Sequence, residues 1–175
     1  MDIYDKYKNG RDMAWKALLE SGVSRLPVNL KAVADAYNIE IYSYDTAVKN
    51  GIILEENAKG SGFSRFYNGK KQIFVDGSNS KPFVRYEMAI QLGHCIMGHY
   101  LTGKPCERKS KGKKNMSVTD YEAYIFARDL LMPATVLYGL KVHSAEEIEE
   151  LREGLALYQV KLESGMKERG EQGEG

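Results

Sequence analysis

The sequence predicts an α+β domain in which a small antiparallel sheet packs against two long helices, and three features carry that expectation. Asn68-Gly69 separates two runs, Gly62-Phe63-Ser64-Arg65-Phe66-Tyr67 and Gln72-Ile73-Phe74-Val75-Asp76, which is a strong short-range signal for a β-hairpin. Val84, Met88, Leu92 and Cys95 or Ile96 recur at turn spacing and predict a helix over residues 82 to 101. Tyr121, Ile125, Phe126, Leu130 and Leu131 form a second such stripe over residues 119 to 132, which stops at Met132-Pro133 because the residue before proline is pushed out of helical geometry.

The remaining elements follow in order. Met13, Ala14, Trp15, Ala17, Leu18 and Leu19 give a first helix after the polar start Lys8-Asn9-Gly10-Arg11-Asp12. A break at Ser21-Gly22-Val23 and Leu26-Pro27-Val28 precedes a second helix, capped by Asn29, which carries Leu30, Val33, Ala34 and Tyr37 and ends near Asn38. Ile39-Glu40-Ile41-Tyr42-Ser43-Tyr44 alternates and is rich in β-branched and aromatic residues, as a half-buried strand requires, and Ile52-Ile53-Leu54 is a weaker continuation of the sheet. Pro82 suits a first helical turn. The segment from Cys106 to Asn115 has no apolar content beyond its cysteine and reads as a solvated loop, after which Thr119 or Asp120 caps the next helix. Ser144 and Glu147 form a capping box for a further helix, and His143 beside it has the place of a solvated capping residue. The organisation expected is one domain over residues 1 to 165 with a flexible tail over 166 to 175, rich in Gly and Glu.

Composition narrows the function classes. With 25 Lys and Arg against 24 Asp and Glu the net charge is +1, so no global field favours nucleic acid or an anionic membrane. The cationic run Arg108-Lys109-Ser110-Lys111-Gly112-Lys113-Lys114 lacks interleaved aromatics and reads as a solvated loop rather than a nucleic-acid contact. No apolar run reaches the roughly 20 residues of a membrane span, and Met1-Asp2-Ile3-Tyr4-Asp5-Lys6 lacks a signal-peptide pattern, so a cytoplasmic protein is expected. Cys95 and Cys106 are then expected to stay as thiols.

The stretch from Arg85 to His99 has the form of a zinc-peptidase helix with two positions replaced. Such a helix reads HExxH, two His one turn apart holding the metal and a Glu deprotonating its water. Here Ile90 stands at the first His, Gln91 at the Glu, and His94 remains. Taken alone, His94 beside Gly93 on an apolar helix is more often a satisfied core histidine than a ligand, and Glu122 near a helix start is only a carboxylate favoured by the dipole.

Four segments in order settle the comparison: Leu26-Pro27-Val28, Ser61-Gly62-Phe63, Arg85 through His99, and the run from Glu122 to Pro133. Together they resemble the ImmA/IrrE family of metallopeptidases over residues 8 to 160. Members usually show a stretch like RFTLAHELGHLLLGH followed by EANxFAxxLLMP. The resemblance implies a zincin-like domain in which a small sheet packs on the active-site-type helix, and a zinc held by both His of HExxH and by the Glu that opens the second motif. Carried over by position, His94 and Glu122 match metal ligands, while Ile90 stands at the lost ligand and Gln91 at the general base. Isoleucine offers no lone pair, which leaves two protein ligands where catalytic zinc uses three. Glutamine cannot take up a proton at neutral pH. No catalytic residue is therefore intact and no cofactor is expected; zinc enters only if a substitute such as Glu87, Cys95 or Asp120 is recruited. Glu87 lies two turns from His94, about 10 Å along the axis, and Cys95 is about 100° around the helix from it. His99, five residues on, is expected to point elsewhere and to be structural. Tyr124 stands where the family usually has Asn.

Family members act on helix-turn-helix repressors of phage or other mobile elements, relieving repression by cleavage. The resemblance thus implies a pseudo-enzyme, an anti-repressor that grips such a repressor as its protein partner without cutting it. The alternative it leaves open is an active metal-dependent endopeptidase with a rearranged zinc site.

Overall fold

The computed structural model describes residues 3–23, 26–102, 106–107 and 116–133, all within one compact unit, Met1–Pro133. The cationic loop from Arg108, His143, the Ser144 capping box and the tail from residue 166 lie outside the described residues.

Among the described residues five α-helices and four strands follow in the order α1 (Ile3–Glu20), α2 (Leu30–Ala36), β1 (Ile39–Ser43), α3 (Tyr44–Lys49), β2 (Gly62–Tyr67), β3 (Lys70–Val75), α4 (Lys81–Ile96), β4 (Cys106–Glu107) and α5 (Val118–Leu131). The order in the sheet is β1-β3-β2-β4. The hairpin forms as expected: β2 and β3 run antiparallel with Tyr67 opposite Lys70, and Asn68 and Gly69 both take the positive φ that such a two-residue turn demands. The sheet is mixed rather than antiparallel throughout, because β1 joins β3 in parallel, Ile41 opposite Ile73, after a crossover that contains α3 and β2.

Several boundaries differ from the sequence reading, each for a local reason. Residues 52 to 54 form a bend and not a strand. The Ser43 hydroxyl accepts from the Thr46 amide and starts α3, a short helix whose Tyr44 and Ala47 are buried. The cap of α5 is Ser117, two and three residues ahead of the expected positions, and Asp120 completes a reciprocal capping box with it. Cys106 and Glu107, expected in a loop, add to the edge of β2 opposite Ser64 and Phe63. The helix expected over 82 to 101 ends at Ile96, because Gly98 at φ 72° reverses the chain after the Met97 cap.

The core lies between the sheet and α4, with α1 and α5 completing it. Ala14 and Ala17 of α1, Ile73 and Val75 of β3, Ala89, Ile90 and Leu92 of α4, and Ala123, Phe126, Ala127 and Leu130 of α5 form one buried cluster. A second cluster on the other side of the sheet joins Tyr44, Ala47, Ile53, Phe63 and Phe74. The four segments singled out in the sequence converge on α4. The Arg85 guanidinium donates to the Val28 carbonyl, the Ser61 hydroxyl donates to Glu87, and Gly93 faces Phe126 and Ala123. A Cβ on Gly93 would lie 3.0 Å from the Phe126 ring and 3.2 Å from the Ala123 Cα, so this glycine sets how closely α4 and α5 approach.

Candidate functional site

The helix α4 presents Glu87, Gln91 and His94 at intervals of four and three residues, on one helical face. All three are buried, at 0, 0 and 2% exposure. Glu87 is the hub of the first half of the site: its Oε1 accepts from Gln91 Nε2 at 2.9 Å and its Oε2 from the Ser61 hydroxyl at 3.0 Å. Gln91 Nε2 also approaches the Gly62 carbonyl at 3.4 Å, and a Cβ at Gly62 would collide with Glu87 Cγ at 2.8 Å. Because both groups facing its Nε2 are acceptors, the Gln91 amide is held in one orientation. Its Oε1 is buried with no hydrogen-bond partner among the described residues, and so is the Ser64 hydroxyl.

Ile90, at the position the resemblance gives to a ligand, is 5% exposed and part of the main apolar cluster. Cys95 likewise packs into that cluster. Tyr124, the other departure, meets Tyr86 edge to face with ring centroids 6.5 Å apart.

His94 and Glu122 are brought together, but through a residue expected to point away. Gly98 folds the chain so that His99, the first residue of a 3₁₀ turn (His99–Thr102), returns over α4. Stacking of Tyr100 on Phe66 of β2, 5.5 Å between centroids, holds the turn there. His99 Nδ1 lies 3.0 Å from His94 Nδ1, and His99 Nε2 lies 3.2 Å from Glu122 Oε2. The signal for this was in the sequence: a glycine directly after a helix commonly takes the left-handed conformation that turns the chain back. The other oxygen of Glu122 accepts from Asn9 Nδ2 of α1 at 3.2 Å, a contact that no local pattern announces. Gly10 permits it, since a Cβ there would sit 2.8 Å from the Glu122 carbonyl oxygen and 3.0 Å from Ile125.

Electrostatics fix the protons. Burial first and the neighbouring His99 second push the His94 imidazole down to about 4, with Asp120 opposing. Burial also lowers His99, with Glu122 and then Asp120 opposing. At neutral pH both rings are uncharged, so each carries one N–H. His99 Nε2–H donates to the Glu122 carboxylate, His94 Nδ1–H donates to His99 Nδ1, and the bare Nε2 of His94 faces Asp120 Oδ1 at 3.7 Å. The other Asp120 oxygen accepts from the Ser117 amide at 3.4 Å within the capping box.

Residues 44–164 match the model of the M78 peptidases, described as the IrrE N-terminal-like domain. The chain belongs to the M78 peptidase family. No curated protein and no solved structure matches it. The match begins after α1 and α2, so Asn9 and Gly10 reach the M78 site from outside the matched segment.

The donor set does not fit the zinc that the family resemblance implies. Ile90 offers no lone pair and both oxygens of Glu122 already accept hydrogen bonds, so of the three ligand positions only His94, through its bare Nε2, presents an unengaged lone pair. Among the described residues no three His, Cys, Asp or Glu side chains are grouped so as to hold a metal ion. No helix among them is long and apolar enough to cross a membrane.

Proposed function

We propose that this M78 member is a non-catalytic regulator that binds a helix-turn-helix repressor of a phage or mobile element without cleaving it. The observation that carries the reading is the pair Ile90 and Gln91. One is a core residue and the other an amide whose N–H donors are spent on Glu87 and the Gly62 carbonyl, so the site has neither a third metal ligand nor a base for a water. What supports retention of the fold is the contact of the other three family segments with α4, which maintains the framework beside the site. The repressor as partner follows from the family resemblance, and regulation is then by sequestration.

The test is to mix the purified protein with the repressor encoded beside it, in chelator and in zinc. Co-elution in chelator, with the repressor intact under both conditions, is expected. Fragments that appear with zinc and vanish with chelator would refute the reading.

One feature favours a second reading, a rearranged metallo-endopeptidase. His94 Nε2 and Asp120 Oδ1 are two acceptors 3.7 Å apart, a spacing a divalent cation can bridge. It requires Glu122 to leave His99 and Asn9. Elemental analysis of protein purified in metal-free buffer separates the readings: equimolar zinc supports the second and its absence the first.

A further inference from the structure

We propose that the site between α4 and α5 receives a cationic side chain, a lysine or arginine presented by the protein partner, which donates to His94 Nε2 and Asp120 Oδ1. This deepens the non-catalytic reading and rests on it. The two atoms lie 3.7 Å apart, and both are acceptors. His94 Nδ1 is bonded to His99, so Nε2 is the ring atom left for a ligand. Asp120 uses its Oδ2 for the Ser117 amide of the capping box, and no donor among the described residues bonds its Oδ1. A third acceptor, Gln91 Oε1, belongs to the same face of α4 as His94. Because the Gln91 amide nitrogen is held by Glu87 and the Gly62 carbonyl, Oε1 is the atom turned away from Glu87, and it is buried without a donor among the described residues. Acceptors that meet only acceptors call for a ligand that brings donors.

Charge and depth narrow that ligand to a cation on a long stem. Asp120 and Glu122 are carboxylates whose ion-pairing partners among the described residues are the two histidines, with no lysine or arginine beside them. Glu122 accepts from the neutral Asn9 amide and from the His99 ring, which satisfy its oxygens without bringing a full positive charge. A cation entering here is therefore attracted by both carboxylates, and a neutral donor gains less. The site also runs inward, since the Asp120 side chain is 36% exposed and that of His94 only 2%. The backbone amide of an extended peptide does not reach an atom at that depth. A lysine or arginine lays its methylene stem along an apolar wall and carries its donors to the end of it. The spacing of the two acceptors suits one ammonium or two arms of a guanidinium.

The experiment titrates the full chain, in chelator, with capped alanine pentapeptides whose central residue is lysine, arginine, norleucine or citrulline; the last two keep the stem and lose the charge. Calorimetry should show the lysine or the arginine peptide binding roughly tenfold more tightly than its neutral counterpart, with a preference that shrinks as salt is added. Asp120→Asn keeps an acceptor for the Ser117 amide but removes the charge, and it should erase the preference. A second measurement uses the native chain and so does not depend on how the variant folds: the NMR signal of the His94 ring should shift with the favoured cationic peptide and stay in place with its neutral counterpart. Equal affinities, binding by none of the four peptides, a preference that survives Asp120→Asn, or a His94 signal indifferent to the bound peptide would each overturn the proposal. Repressor binding in chelator is measured apart from these. Repressor capture without a cation preference sinks this inference alone, and a cation preference without capture sinks the proposed function alone.

Discussion

Restoring the family's glutamate at position 91 should destabilise this protein rather than repair it. Gln91 is fully buried, and its Nε2 donates to Glu87 Oε1 at 2.9 Å. Gln91→Glu replaces that donor by an acceptor of nearly the same shape and sets two carboxyl groups in contact without water. Such a pair holds one proton between its members and keeps a single charge, so one of the two has its pKa raised by two to three units, worth about 3 to 4 kcal/mol at pH 7. The sign is fixed by linkage. The folded variant binds a proton that the unfolded chain has released above about pH 4.3, so stability is lost as pH rises from there through the raised pKa. Urea denaturation of native and variant proteins at pH 5 and pH 7 measures this, with the deficit expected to be small at pH 5 and largest at pH 7. Exchanging the pair, Glu87→Gln with Gln91→Glu, restores one donor and one acceptor and should recover most of the loss. A Gln91→Glu protein as stable as the native one at pH 7, with the same pH dependence, would refute the reasoning.

Gly93→Ala should cost about 1 to 3 kcal/mol in urea denaturation, since its Cβ would press on Phe126 at 3.0 Å and force α4 away from α5. Gly10→Ala should likewise lower Tm by several degrees, because the obstacle at 2.8 Å is the Glu122 backbone and cannot rotate aside. The neutral form of His94 is favoured on folding, with a folded pKa of about 4 against an ordinary 6.5. In chelator, stability should therefore hold above about pH 6.5 and decline by about 3 kcal/mol as pH falls towards 4. His94→Gln should flatten that part of the pH profile, and a slope unchanged by the substitution would contradict the assignment.

Much of the framework was legible because it depends on local rules. The Asn68-Gly69 hairpin rests on two residues that tolerate positive φ, and the α4 and α5 stripes rest on helical periodicity. Where expectation and structure part, competing local signals decided. Ser117 outcompeted Thr119 because its hydroxyl and the Asp120 carboxylate satisfy each other's amides. The parallel entry of β1 escaped notice because strand alternation says nothing about strand direction.

The site divides along the same line. Sequence by itself determined the residue types: an aliphatic group at position 90, an amide at 91, an imidazole at 94 and a carboxylate at 122, and hence which chemistry is missing. It also placed those residues on two helices expected to bring His94 and Glu122 together. Only the tertiary structure decided what they touch. His99 returns onto His94 through a glycine turn, Asn9 arrives from a helix 113 residues away in the chain, and Ile90 faces the core. The physical reason is range. Lone pairs and helical spacing belong to single residues and their near neighbours, whereas a hydrogen bond across a buried site depends on how distant helices settle against each other.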